Sequence, residues 1–522
     1  MAGDDPEAFA VVAGKVVATG TRVDLSDRFP HDEQVDFRDA VIIPGFNDAH
    51  MHLAMTAEDL LHLDLSVNAV GSLRELKSKV QSQAEAMEPG AWIRGSHYDD
   101  GKMAENRLLT RWDLDDAAPS HPVLVVHVAA HWGVMNSMAL NLAGIIETSL
   151  PPEGGAYGRD ASGRLNGVLY EQALFDCAYP QLSRTGHTVF PPSSFEERLA
   201  GVARACEMFH SAGLTSICDA LVGPEDIRLL LEAKRRGMLT MRVNVLVAAE
   251  HYGSLSQAGW GQGVGDEWLQ IAGIKTFVDG AIGGRTCLLD QPFEGSSDDY
   301  GIQTRSTTEL RETVYQAHQE GTRVCVHANG DRAIKLVLSL FEEAYSRSPG
   351  PQLPHRIEHC SVVNDEILAR MKRLGLTAVP FGSYVNYHGS RLIDWYGERR
   401  VERMFAHRWF LDSQIPVAGS SDFPCGPYEP LLAMQSCITR QGSDGCVIGA
   451  SQRVTAAEAL ALYTTNSAAA TGQQAHKGRL SSGYLADFVV LGSDPLTTPP
   501  TSISSIPVIA TYVAGQPVWS AG

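Results

Sequence analysis

Two histidines two positions apart, His50 and His52 in Pro44-Gly-Phe-Asn-Asp-Ala-His-Met-His52, are the first residues in this chain able to share a cation. In extended backbone, side chains at i and i+2 leave the same face, so both imidazoles can reach one ion. An isolated H-x-H is explained as readily by surface or core packing. Lys275 is a second oddity, because it interrupts the apolar run from Ile271 to Val278, where a bare ammonium is expensive to bury. Two readings are open for it: a structural lysine reaching a nearby carboxylate, or a lysine of depressed pKa that reacts with CO2 and becomes a carbamate ligand. Three more apolar runs close on groups of the same chemistry: Val324-Cys-Val-His327, Arg356-Ile-Glu-His359 and Val417-Ala-Gly-Ser-Ser-Asp422. Each alone reads as an ordinary core or loop residue; their joint recurrence at the ends of apolar runs is harder to explain by packing.

The elements that must position these groups are short apolar runs alternating with helical patterns: Leu214–Cys218, Arg242–Val247, Ile271–Val278, Arg323–Val326, Leu376–Val379 and Pro416–Ala418. This alternation predicts parallel βαβ units in an α/β fold, a (β/α)8 TIM-like barrel, in which the strand C-termini converge on one site. The two ends of the chain have a different texture. Phe9–Val12, Lys15–Ala18 and Val41–Ile43, then Leu480–Leu491 and Val508–Val518, alternate strands with turns, Gly515-Gln516 among them. The predicted organisation is a small β-sandwich domain from residues 1–45 and 475–522, and a barrel over 46–474. An insertion at about 60–192 follows the first barrel strand and faces the substrate.

With those residues in place, the chain resembles the YtcJ-like, or amidohydrolase type 3, branch of the amidohydrolase superfamily, which includes N-substituted formamide deformylases. The matching stretches are Pro44–His52, His131–Leu140, Lys275–Arg285, His327-Ala-Asn-Gly-Asp-Arg332, Arg356–His359 and Gly419–Asp422, with Thr465-Asn466, Lys477-Gly478 and Gly483–Leu491 downstream. The resemblance implies that His50 and His52 bind the more buried metal, that Lys275 bridges as a carbamate, that His327 and His359 hold a second metal, and that Asp422 completes the site. The segment Ala129-Ala-His-Trp132 departs from the family's usual Gly-His pair, and Asn329 replaces a commoner small or aliphatic residue; both bear on substrate preference.

Imidazole and carboxylate ligands suit one or two Zn2+ ions, with Mn2+ or Fe2+ as options. The candidate catalytic residues are Asp422, Lys275, His327 and His131. Asp422 would take the proton of the attacking water and return it to the departing amine. His131 would stabilise the developing oxyanion or bind substrate, and beside Trp132 it is also open to a packing role. Arg285 and Asp331 are open to substrate positioning or loop salt bridges. The expected reaction is hydrolysis of an amide-like C–N bond other than a peptide bond. Deamination, cyclic-amide hydrolysis, or decarboxylation or isomerisation on the same site are alternatives, as is a catalytically silent barrel that only binds.

The balance of 42 Lys+Arg against 61 Asp+Glu, net −19, disfavours nucleic acid and anionic membranes as partners. No apolar run approaches the ~18 residues of a membrane span, and the acidic start lacks the basic region of a secretory signal. Nine scattered cysteines without C-x-x-C argue against a disulfide framework or a thiolate zinc site and fit a reducing cytoplasm. There is no Gly-x-Ser-x-Gly elbow, P-loop or H-E-x-x-H. Tyr98, Trp132, Phe293, Tyr384, Tyr387 and Phe423 are open to two readings, as walls of a hydrophobic chamber or as core filling between helices; with the first, the expected partner is a small molecule with a hydrophobic portion. A homodimer is the default assembly.

Overall fold

The computed structural model describes residues 6–30, 33–185, 187–349 and 353–522; the acidic opening, residues 1–5, lies outside them. Seven strands form the central sheet: β1 (Phe46–Met51), β2 (Leu214–Val222), β3 (Arg242–Ala248), β4 (Leu269–Phe277), β5 (Val324–Ala328), β6 (Arg356–His359) and β7 (Thr377–Val379). They are neighbours in chain order and parallel throughout. Almost every residue in them is buried, as expected for parallel strands covered on both faces, and this is why they read as unbroken apolar runs. The architecture is a nearly closed, TIM-like barrel.

The expected strand at Pro416–Ala418 is not a regular strand. Pro416 has no N–H, so it serves the sheet only through its carbonyl, which accepts from Ala378 N–H at 2.9 Å, and Ala418 N–H donates back to Ala378 at 3.0 Å. On the other side, Ala49 N–H donates to the Gly419 carbonyl at 3.1 Å and Asp422 N–H to the His50 carbonyl at 2.9 Å. Residues 416–422 therefore lie between β7 and β1, and they tie Asp422 to the histidine pair through the backbone.

The helix Phe195–Ser211 illustrates how local sequence sets the barrel wall. Ser194 caps it, accepting from Glu197 N–H, and the Glu197 side chain returns the bond to complete a capping box. Its buried face, Leu199, Val202, Cys206 and Phe209, repeats at helical spacing. Gly201 lets the helix approach Ala57 in the helix Leu53–Asp59: a Cβ at Gly201 would lie 2.2 Å from the Ala57 carbonyl oxygen. Gly213 at φ +83 then turns the chain into β2.

Between β1 and β2 the chain builds a six-stranded sheet in the order Leu63–Asp64, Ile93–Tyr98, Val123–His127, Trp132–Met135, Leu165–Glu171, Gly155–Arg159. The chain termini form a hairpin, Ala8–Val12 with Lys15–Gly20, and a four-stranded antiparallel sheet of Val41–Pro44, Phe488–Leu491, Val508–Val513 and Gln516–Ser520. Phe9 of the hairpin packs edge-on against Phe488 of the larger sheet. The last hairpin turns at Ala514-Gly515, one residue earlier than expected, because both take positive φ (53° and 75°) as a tight two-residue turn requires. Arg242 of β3 forms a bidentate pair with Asp487, at 2.6 and 2.9 Å, which anchors the terminal sheet beneath the barrel. All nine cysteines are free thiols. Among the described residues no helix is long and apolar enough to cross a membrane.

Candidate metal centre

The C-terminal ends of the barrel strands surround a buried pocket lined by His52, His131, Lys275, His327, His359 and Asp422, with Phe175, Tyr179, Leu182, Leu221 and Phe277 as apolar walls. His50 stands behind His52, their rings meeting edge to face at 5.4 Å. One Asp422 oxygen lies 3.1 Å from His52 Nε2 and 3.3 Å from His50 Nε2, and Lys275 Nζ lies 3.3 Å from the same His50 nitrogen. The rings continue around the pocket: His50 to His359 at 4.9 Å, His359 to His327 at 4.5 Å, His327 to His131 at 5.0 Å. Each of the seven side chains singled out in the sequence is in this one cluster.

The hydrogen-bond partners assign the tautomers. His50 Nδ1 faces the buried Glu358 carboxylate, and His52 Nδ1 faces the Ala220 carbonyl at 3.0 Å, so both rings carry their proton on Nδ1. Their Nε2 lone pairs are then aimed at an Asp422 oxygen, with no proton between. One Asp422 oxygen lies 3.1–3.3 Å from both unprotonated Nε2 atoms, Lys275 Nζ is a donor beside them, and the three groups have ligand atoms all within 4.8 Å of one another. The residues therefore fit a divalent ion. His359 Nδ1 is buried with no hydrogen-bond partner among the described residues, and His327 Nε2 lies 3.0 Å from both the Gly280 carbonyl and the Asn329 amide nitrogen.

Burial lowers His52, and pushes His327 and His359 well below the usual histidine range, keeping all three neutral as ligands must be. For Lys275 burial wins and lowers the ammonium, although Glu358 and Asp422 pull the other way. His131 behaves oppositely: burial alone would depress it, but Glu171, bonded to Nδ1 at 2.6 Å, raises it above the usual range.

The profile of the amidohydrolase family matches residues 33–519, nearly the whole chain. The chain belongs to the amidohydrolase family. It is a hydrolase acting on C–N bonds, and a divalent metal is the group its site is built for. This amidohydrolase is 29% identical over 529 residues to the putative amidohydrolase YtcJ of Bacillus subtilis (strain 168), covering 99% of this chain and 96% of that one. It is also 29% identical over 527 residues to the N-substituted formamide deformylase of Arthrobacter pascens, covering 98% and 94%. The crystal structure of an uncharacterized metal-dependent hydrolase from Pyrococcus horikoshii OT3 superposes with a TM-score of 0.74 at 25% identity, covering 94% of each chain.

Several residues that support the amidohydrolase site escaped sequence reasoning. Glu358 is fully buried and takes a bidentate pair from Arg356, at 2.7 and 2.8 Å, while Arg356 also donates to the Ala49 carbonyl at 2.7 Å. Burial would raise the Glu358 carboxyl, but Arg356 and then His50 hold it well below its usual range, so it stays a strong acceptor for His50. The signal was present: Arg356 and Glu358 share a strand face at i and i+2 and so point into the barrel together. Asp219 accepts from Leu53 and Ala54 N–H at 2.9 and 3.2 Å, fixing the helix that starts at His52. Asp48, raised to about 7 by burial, accepts from His50 and Ser421 N–H, both at 2.9 Å.

Other readings change. The expected aromatics do not line the pocket. Trp132 stacks on His127 at 4.2 Å beside Tyr98, Phe293 packs on Tyr396, and Phe423 packs on Phe209; Tyr384 stacks on Phe381, whose other face meets His359 at 4.4 Å. Tyr387 donates to Asp99 at 2.8 Å. Arg285 is half-exposed and 3.5 Å from Asp100, and Asp331 accepts from Asp290 N–H at 2.9 Å; neither lines the pocket. Asp99, Asp100 and His127 form a second acidic cluster, but Ala129 N–H donates to His127 Nδ1. His127 thus carries its proton on Nε2, which lies 3.3 Å from Asp100 without a hydrogen bond to it.

Proposed function

We propose that this amidohydrolase cleaves an amide-like C–N bond of a small molecule, an N-substituted formamide or an acyl amide, with zinc held by His50, His52, Lys275, His327, His359 and Asp422. The observation that carries the reading is the convergence of two Nδ1-protonated imidazoles and a carboxylate oxygen in one buried pocket. The name of the A. pascens relative points to the same bond class. When bound, the ion supplies Lewis acidity toward the substrate carbonyl and acidifies water toward a pKa of roughly 7.

The chain's own residues do the rest. Asp422 accepts the proton released in the attack and returns it to the amine nitrogen as the C–N bond breaks. His131 lines the pocket 5.0 Å from the His327 ring and binds substrate there, its Nε2 accepting from the substrate's amide N–H and orienting it for attack. Lys275 is depressed by burial, which favours the neutral amine; its lone pair adds to CO2 and one proton leaves, giving a carbamate with two oxygen donors. Phe175, Tyr179, Leu182 and Phe277 make room for an apolar substituent. In this reading residues 46–474 are the catalytic unit with its insertion at about 60–192, and residues 1–45 with 475–522 form a supporting β-sandwich.

The test is elemental analysis of the purified protein joined to assays on formamides and acyl amides before and after chelation. Hydrolysis lost on chelation and restored by zinc is expected. Hydrolysis that survives complete removal of metal overturns the proposal.

A further inference from the structure

Glu171 is the last residue of the strand Leu165–Glu171, in the sheet that lies between β1 and β2 in sequence. It is fully buried and has a backbone that L-residues seldom adopt, φ 51° and ψ −123°. A buried carboxylate in a strained position must be over-determined by its surroundings, and it is. One oxygen accepts from His131 Nδ1 at 2.6 Å and the other from the Thr286 hydroxyl at 2.6 Å, while Glu171 N–H donates to the His131 carbonyl at 2.7 Å. Thr286 belongs to the loop after β4, the strand of Lys275. The loop makes room for this contact: a Cβ on Gly280 would lie 2.1 Å from Thr286 Oγ1 and 2.2 Å from Glu171 Oε1. Gly280 is also the residue whose carbonyl orients His327.

The geometry points to Glu171 as a positioning residue for the proposed hydrolysis: it fixes His131 with Nδ1–H inward and Nε2 on the pocket side, facing the metal-ligand cluster. The inference rests on the function proposed above and adds to it how the intervening sheet is indexed to the barrel. Without the carboxylate, the ring has no partner that selects which nitrogen faces substrate. With it, one carboxylate sets both the tautomer of His131 and, through Thr286, its height above the Lys275 strand.

A double-mutant cycle and a spectroscopic measurement test this on the metal-loaded enzyme. Glu171→Ala lowers kcat by on the order of 100-fold with KM and metal content near wild type, and Glu171→Gln, which keeps a neutral acceptor, recovers part of the loss. In a His131→Gln background neither substitution lowers kcat further, because Glu171 acts through that ring. Thr286→Val, a milder change, gives a smaller loss with the same dependence on His131. Independently of turnover, 15N-edited proton spectra contain a low-field Nδ1–H resonance that vanishes in His131→Gln and in Glu171→Ala. The inference is overturned if the Glu171 variants cost the same factor without His131, if they lose metal, or if the resonance is absent from wild type or persists in Glu171→Ala. Wild-type hydrolysis that ignores chelation instead sinks the proposed function, and the resonance still reads the Glu171–His131 contact.

Discussion

At the scale of single residues, the site is governed by where protons are not. Asp422 faces two imidazole nitrogens whose protons are committed elsewhere, to Glu358 and to the Ala220 carbonyl. Asp422→Asn should therefore cut kcat by about 10²–10⁴-fold. The metal-free variant should nevertheless melt above metal-free wild type, because an amide N–H satisfies a lone pair that the carboxylate repels, a gain of about 1 kcal/mol. Differential scanning calorimetry of the two metal-free proteins checks the sign. Glu358→Gln should act in the opposite sense, leaving Arg356 buried with its charge uncompensated at a cost of about 3–5 kcal/mol, read as a shift of the urea midpoint.

At the scale of elements, the helix Leu53–Asp59 starts on a metal-ligand candidate and is held by two contacts: Asp219 on its first N–H groups and Gly201 against its backbone. Gly201→Ala forces the neighbouring helix off Ala57 and should cost about 1–3 kcal/mol, with weaker metal binding because His52 moves with its helix. Gly253 provides the contrast. It lies inside the helix Ala249–Gln257, and a Cβ there meets nothing within 4 Å. Gly253→Ala should stabilise by about 0.5–1 kcal/mol through helix propensity and leave metal affinity unchanged. Equilibrium unfolding joined to metal titration separates the two.

For the whole molecule, the buried histidines away from the site dictate acid sensitivity. Burial lowers His210 and His388 to about 4, and His355 and His407 to about 3. Below the unfolded value of 6.5 the unfolded chain binds protons that these native rings refuse, so stability falls as pH drops from about 6.5 toward 4. Each unit of separation contributes about 1.4 kcal/mol. Unfolding midpoints measured across that window at fixed ionic strength should decline steadily; a flat profile contradicts the burial of neutral rings. Removing the metal should lower the melting temperature as well, since an ion bound only by the native state at 100 times its Kd contributes about 2.7 kcal/mol.

The amino-acid order alone was enough to indicate parallel strands with His327 and His359 at their ends and a lysine inside an apolar strand, whereas the strand expected before Asp422 is an irregular segment. Burial on both faces and placement at strand ends leave a periodic mark that sequence retains. What it could not carry was any relation across the fold. Glu171 lies at the end of a short apolar run with nothing local to distinguish it, and it becomes a functional candidate only when His131 is brought to it from 40 positions away, whereas Glu358, marked locally by Arg356, gains its role from His50, 308 positions away. The tautomers of His50 and His52 depend on partners in β6 and β2, and the pocket walls are Phe175, Tyr179 and Phe277 instead of the aromatics nearest the motifs. Side-chain chemistry is written residue by residue, whereas proton placement and cavity shape arise from contacts between distant segments, and those exist only in the folded chain.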